Sequence, residues 1–219
     1  MDISKPLTPE DRGSGLCNSP LVFKDNFPTS STMSSISESA SAPALASLPP
    51  IRRVITTHDK DGNAIISEEI PQTLEGVGVS GTVIYLGYAL NQFPAALNND
   101  QDLKEYKDRL PHNVGISIPR GTVLRMSDFL PGQSVPMHRS KTIDLGVIIE
   151  GEVELIMGSG ESTVLKRGDI IVQRGTIHGW KNNTTEVARG FFVLVDADLP
   201  TVNGIQLKEE VPIDELKTE

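Results

Sequence analysis

The sequence predicts an all-β fold: a single β-barrel with a disordered N-terminal segment and one short helix. Beyond Gly121, β-rich runs follow one another at short intervals, namely TVLRMSDFL, IDLGVIIEG, EVELIMG, STVLKRG, DIIVQRG and ARGFFVLVDAD. Turn chemistry lies between them at Pro131-Gly132, Gly158-Ser159-Gly160 and Arg167-Gly168-Asp169. Many short strands with regular turns and almost no helix make a sandwich or a barrel. The chain has 219 residues, 37% of them hydrophobic, which is enough for one core and too little for two ordinary domains with linkers. No second copy of the strand pattern is visible, so a two-barrel chain is not expected.

The elements divide the chain at about 50, 121 and 199. Eight serines lie between Thr29 and Ser47, interleaved with Ala and Pro, and the stretch ends at Pro49-Pro50. So little apolar surface cannot offset chain entropy, and 1–50 is expected to be disordered. Met33 opens a run that reads as a natural start, which makes the first 32 residues a candidate for a dispensable extension.

Residues 51–121 form a β-rich extension. IRRVITTHD closes on Asp59-Lys60-Asp61-Gly62, and GTVIYLGYAL closes on Asn91-Gln92-Phe93-Pro94; both read as strands outside the main barrel. Between them and the barrel, Asp100 is placed to cap a helix over 101–110, with Leu103, Tyr106 and Leu110 on one face and Pro111 ending it. That helix is expected to be a surface lid or a packing element. The barrel proper occupies 122–199. The tail, 200–219, ends in KEEVPIDELKTE and reads as a solvated acidic extension.

Bulk properties narrow the function. A formal charge of -9, with no cluster of Lys and Arg, argues against nucleic acid as a partner. No apolar run approaches the roughly 18 residues that a membrane span needs. Cys17 is the single cysteine, so neither an internal disulfide nor a cysteine zinc site is expected. The first residues lack the apolar core of a secretory signal, and a cytoplasmic location follows as the expectation. Asn182 and Asn183 begin Asn-x-Thr sequons that would then never be read.

Two segments carry the chemistry: PGQSVPMHRSKTIDLGVIIEG and RGDIIVQRGTIHGWKN. In the first, Gly132 is followed after five residues by His138, then by Ser140, Asp144 and Gly151; in the second, Gly168 precedes His178 and Asn182. Residues 138 and 140 share parity, so both face one side of a strand. Six strand residues span about 20 Å, too far for His138 and Asp144 to meet on a straight strand. A turn around Ser140 to Thr142 is therefore expected, with Asp144 opening the next strand beside His138. Barrel closure would bring His178 into the same lumen.

These spacings resemble the two motifs of the cupin family, whose fold is a jelly-roll barrel. The resemblance covers about a third of the chain. The second motif is one residue short and has Arg174 where the family commonly has proline. A closer likeness, through His138-Arg139-Ser140, Asp144, Gly168-Asp169, Arg174-Gly175-Thr176, His178 and Trp180, is to small single-domain cupins of fungal secondary metabolism. Such proteins are classed as oxidoreductases or dehydratases of polyketide-type pathways. The family usually holds a divalent metal through three histidines and a glutamate. Here Ser140 replaces one histidine and Asp144 the glutamate, which leaves a 2-His-1-carboxylate set, His138, Asp144 and His178, that suits iron or another divalent ion. Without a metal, the two histidines remain capable of proton transfer, with Asp144 orienting or charging one of them.

The resemblance implies a tailoring oxidoreductase acting on a small apolar intermediate in the lumen. The alternatives are a metal-independent dehydratase, isomerase or cyclase, and a non-catalytic binding barrel. His138, His178 and Asp144 are the catalytic candidates; Ser140, Trp180 and Asn182 are the candidates for substrate contact. Each has a structural alternative: Asp144 as a turn cap, Ser140 as turn closure, Trp180 as core, Asn182 as part of the following turn. Arg139 and Arg174 have a clear task only with a carboxylate-bearing substrate. His58 and His112 receive no role. Gly132, Gly151 and Gly168 are expected to form turns. A homodimer is expected, with the segment Ile51 to Leu90 a candidate for exchange between subunits.

Overall fold

Alternation of buried and exposed side chains builds two facing sheets. The structure is a computed structural model that describes residues 48–110 and 115–212. The strands are β1 (Thr56–His58), β2 (Ala64–Ile66), β3 (Gly76–Val79), β4 (Thr82–Leu90), β5 (Thr122–Phe129), β6 (Ser134–His138) and β7 (Thr142–Glu150). They continue as β8 (Glu152–Met157), β9 (Ser162–Lys166), β10 (Ile170–Arg174), β11 (His178–Lys181), β12 (Ala188–Asp196), β13 (Thr201–Val202) and β14 (Ile205–Gln206). One sheet has the order β10-β7-β12-β5-β4-β3 and the other β6-β11-β8-β9, with β1-β2 and β13-β14 as separate hairpins. Each of the six runs read as a barrel strand is a strand.

The apolar positions of these strands meet between the sheets. Val123 and Phe129 on β5, Ile148 on β7, Leu155 on β8, Trp180 on β11 and Phe192 on β12 are buried together. The Trp180 ring lies 5.4 Å from Phe129 and 5.9 Å from Phe192, the latter edge-to-face. Each buried aromatic contributes roughly 2–3 kcal/mol through lost water contact alone. At the rim, Arg189 donates two hydrogen bonds of 2.6 Å to the Asp128 carboxylate, and Tyr85 adds a third at 3.1 Å. Both charges are buried, and the paired geometry offsets the loss of their water.

Gly132, Gly151 and Gly168 all have positive φ, as expected of turn formers. At Gly151 the reason is also steric: a Cβ would sit 3.0 Å from Ala188 Cα.

Three expectations about organisation need correction. The strand GTVIYLGYAL does not lie outside the main barrel. β4 pairs along its length with β5 of its own chain, and β3 continues the sheet. Its strict alternation of buried positions belongs to a sheet with a second layer over it. The tail is not a free extension either. Arg139 N–H donates to Glu210 O at 2.7 Å, Glu210 N–H donates back at 2.9 Å, and Val211 is buried. Lastly, Pro49, at the end of the Ser/Pro-rich stretch, is anchored by Arg189 through its carbonyl at 2.8 Å. The remainder of 1–47, including Cys17 and Met33, lies outside the described residues, as do His112 and the last seven positions.

The helix α1 (Gln101–Arg109) forms where expected and is a packing element. Leu103 and Tyr106 are buried, and Tyr106 donates to Leu86 O of β4 at 2.9 Å. Asp100 does not cap it: the residue is left-handed and its carboxylate accepts instead from Thr57 Oγ1 at 2.5 Å. Leu110 is exposed and does not share their buried face. Among the described residues no helix is long and apolar enough to cross a membrane.

Candidate functional site

His138 and His178 are neighbours because their strands are. β6 and β11 pair antiparallel with His138 directly opposite His178, and the ring centroids are 4.3 Å apart. The register slips between His178 and Trp180, where Pro136 on β6 has no N–H to give to the ladder. This irregularity leaves the Pro136 carbonyl free to accept from its own strand: His138 Nδ1 lies 2.9 Å from Pro136 O. His178 repeats the arrangement with Thr176 O at 2.9 Å. A carbonyl only accepts, so each Nδ1 carries the proton and each Nε2 keeps a lone pair.

Both imidazoles line one cavity between the sheets, which opens to solvent. Burial pushes His138 below the ordinary histidine value. His178 is pushed down to about 4, first by burial and then by its histidine neighbour. Both are therefore neutral at pH 7, the form of a base.

Asp144 faces the same cavity from the other sheet. The expected turn between His138 and Asp144 exists, but it carries the chain across the barrel, so Asp144 does not open a strand beside His138. Thr142 Oγ1 lies 2.5 Å from Asp144 Oδ1 and Ser140 Oγ lies 3.4 Å from Oδ2. Burial raises its pKa to about 6, against the lowering effect of those two hydroxyls and of the Arg125 charge. Ser140 is thus a support behind Asp144 and not a wall of the cavity, which corrects its assignment as a substrate contact.

Trp180 holds both roles weighed for it: it is core, and its ring forms part of the cavity wall. Asn182 does not face the cavity. Its Nδ2 donates to Phe129 O and Glu186 O at 2.8 and 2.7 Å, and its Oδ1 accepts from Thr184 N–H and Oγ1 at 2.9 and 2.7 Å. With its capacity filled, it ties the β11–β12 turn to β5. Arg139 faces the tail, where it pairs with Glu210 at 2.5 Å. His58 is exposed.

The metal set expected of His138, Asp144 and His178 does not assemble. Among the described residues no three His, Cys, Asp or Glu side chains gather so as to hold one ion. The imidazoles lie on one sheet, while the carboxylate lies on the other with hydroxyls on its oxygens. The donor set present does not fit a three-ligand ion.

Most of the wall was not legible as a site from the sequence, and among those residues Arg125, Gln173, Ile116 and Val211 bear most on the cavity. Arg125 was legible in principle, since Val123, Arg125 and Ser127 alternate inward on β5, and a charge at an inward position is unusual. It donates through Nη2 to Gly115 O, and burial lowers its pKa to about 10. Gln173 follows the same rule on β10, directly across from Asp144. Ile116 and Val211 carry no local signal, because distant chain segments bring them there.

A buried pair of strand-borne histidines inside a two-sheet jelly roll defines a cupin-type site. Residues 125–194 match the family model described as a cupin domain, and the chain belongs to the cupin family. Over 165 residues it is 42% identical to "Oryzines biosynthesis cluster protein J" of Aspergillus oryzae, covering 74% of this chain and 92% of that one. It is 41% identical to "Phomopsin biosynthesis cluster protein C'" of Diaporthe leptostromiformis, over 69% of this chain and 82% of the relative. It is also 35% identical to "Cupin-domain-containing oxidoreductase fogC" of Aspergillus ruber, over 75% and 81%.

Proposed function

We propose that the protein is a tailoring enzyme of secondary metabolism that moves a proton within a small, largely apolar molecule held in the lumen. The observation that supports this is the histidine pair: two neutral imidazoles, each with Nδ1–H fixed on a backbone carbonyl, so that Nε2 is the basic atom. One imidazole removes a proton from the substrate onto its Nε2, and the imidazolium so formed returns that proton elsewhere on the molecule. Dehydration, isomerisation or cyclisation needs no more than a positioned base, an acid and a shaped apolar cavity. Asp144, with its pKa raised to about 6, is suited to supply the acid.

Oxidoreductase chemistry is the second reading, supported by the names of relatives such as the Aspergillus ruber protein. Accurate-mass comparison of metabolites from strains carrying the wild type and His178→Ala separates the two. A precursor in the variant that is heavier by one water, or isomeric with the product, fits proton transfer. A difference of two hydrogens or one oxygen gives the oxidoreductase reading, and an unchanged profile ends both.

The proposal extends to a homodimer. Ile170 and Val172 on edge strand β10 are exposed beside Leu145 of β7, and an unpaired apolar edge invites a second copy. Light scattering that finds only monomer at micromolar concentration sinks this, whereas Val172→Lys should convert a dimer to monomer.

A further inference from the structure

We infer that Gln173 is a substrate-orienting donor, placed to bind a carbonyl or carboxylate oxygen of the molecule on which the histidine pair acts. The inference rests on the lumen being the reaction site, and it names the class of substrate that site takes.

Gln173 sits on β10 at an inward position, directly across from Asp144, and forms part of the cavity wall. It is 95% buried, being 5% exposed, and its Nε2 has no hydrogen-bond partner. Folded proteins rarely leave a buried amide N–H unmet, since its lost water is not replaced. Arg53 and Arg139 also bury an unmet nitrogen, but each belongs to a guanidinium that bonds through its other nitrogens. The Gln173 amide has no such second anchor. Nothing in its strand needs a polar side chain there, because Ile171, at the previous inward position, simply packs against the core.

The chemistry of the surroundings says what would meet this donor. The partner must accept, so it carries an oxygen lone pair. Phe129, Val135, Trp180, Phe192 and Leu194 line the remainder of the cavity, so the body of the molecule is apolar. Arg125 places a cation on the same sheet, which suits an oxygen that is negative or becomes so. The histidine pair occupies the opposite sheet. A ligand whose carbonyl rests on the Gln173 side then turns its adjoining carbon towards the imidazoles. Hydrogen bonding to that oxygen makes a neighbouring C–H more acidic, because the electron pair left by the proton moves onto oxygen. The class is therefore an enolisable ketone or a carboxylic acid with a C–H beside its carboxyl carbon.

Acetophenone, benzoate and ethylbenzene are suitable probes, alike in size and differing in the oxygen. Titrated by NMR, wild type should bind acetophenone or benzoate about tenfold more tightly than ethylbenzene. Which oxygen probe binds better distinguishes ketone from carboxylate. In Gln173→Leu the preference should vanish while ethylbenzene binding persists, and the melting temperature should hold or rise, since an unmet donor is gone. Gln173→Met serves if the leucine variant fails to fold. No oxygen preference in wild type, or an undiminished one in the variant, overturns the inference. His138→Ala should retain the preference, so a failure of the proton-transfer reading shows as undiminished turnover in that variant while the oxygen preference stands.

Discussion

His138 and His178 stand opposite each other across a strand pair with ring centroids 4.3 Å apart, yet neither bonds to the other through its Nδ1. Each is oriented by the carbonyl two residues before it. A short local hydrogen bond thus fixes the tautomer of both rings, and the pairing of two strands sets their distance.

The acid limb of the rate profile should follow His178. Its neutral imidazole is the active form, and burial together with His138 holds its pKa at about 4. Rate should rise from pH 7 towards about 5 as Asp144 takes up the proton it supplies, and fall below that as His178 is protonated. His138→Ala should lower the rate by about 10²–10⁴-fold and also move the limb to higher pH, because a repelling neighbour has been removed. An unchanged limb in this variant would refute the coupling.

Asp144 should make stability depend on pH in the opposite sense to an ordinary ion-paired carboxylate. Its folded pKa, about 6, lies above the usual 3.8, so the native state holds the proton more tightly than the unfolded chain. The group favours folding most below about pH 4, and that advantage is lost as pH rises through 6. His178 acts in reverse over a similar window but is common to both proteins compared. Asp144→Asn should therefore gain roughly 1–3 kcal/mol over wild type between pH 4 and pH 8. Urea denaturation at both values measures it, and parallel profiles would exclude it.

Val211 should control the cavity without supporting the barrel. It is buried on the wall, held by the bridge between Arg139 and Glu210, while the paired strands of both sheets are complete without it. Val211→Lys should leave far-UV circular dichroism unchanged and weaken ethylbenzene binding by about tenfold or more, since a buried charge is costly. Equal binding would show that the tail does not close the lumen.

The class of fold, six of the barrel's strands and the histidine pair were legible in the residues, because period-2 burial, turn glycines and motif spacing are local signals. Even the alternatives for Trp180 and Asn182 were readable from parity and turn composition. Packing of the whole chain places Asp144 on the opposite sheet from the histidines, puts β4 in the barrel's larger sheet, and brings Val211 back to the cavity wall. These depend on where the chain crosses between layers and on contacts between segments far apart in sequence. The side a strand shows to the core is written in its own residues, but which strand it meets there is settled by the packing of the whole.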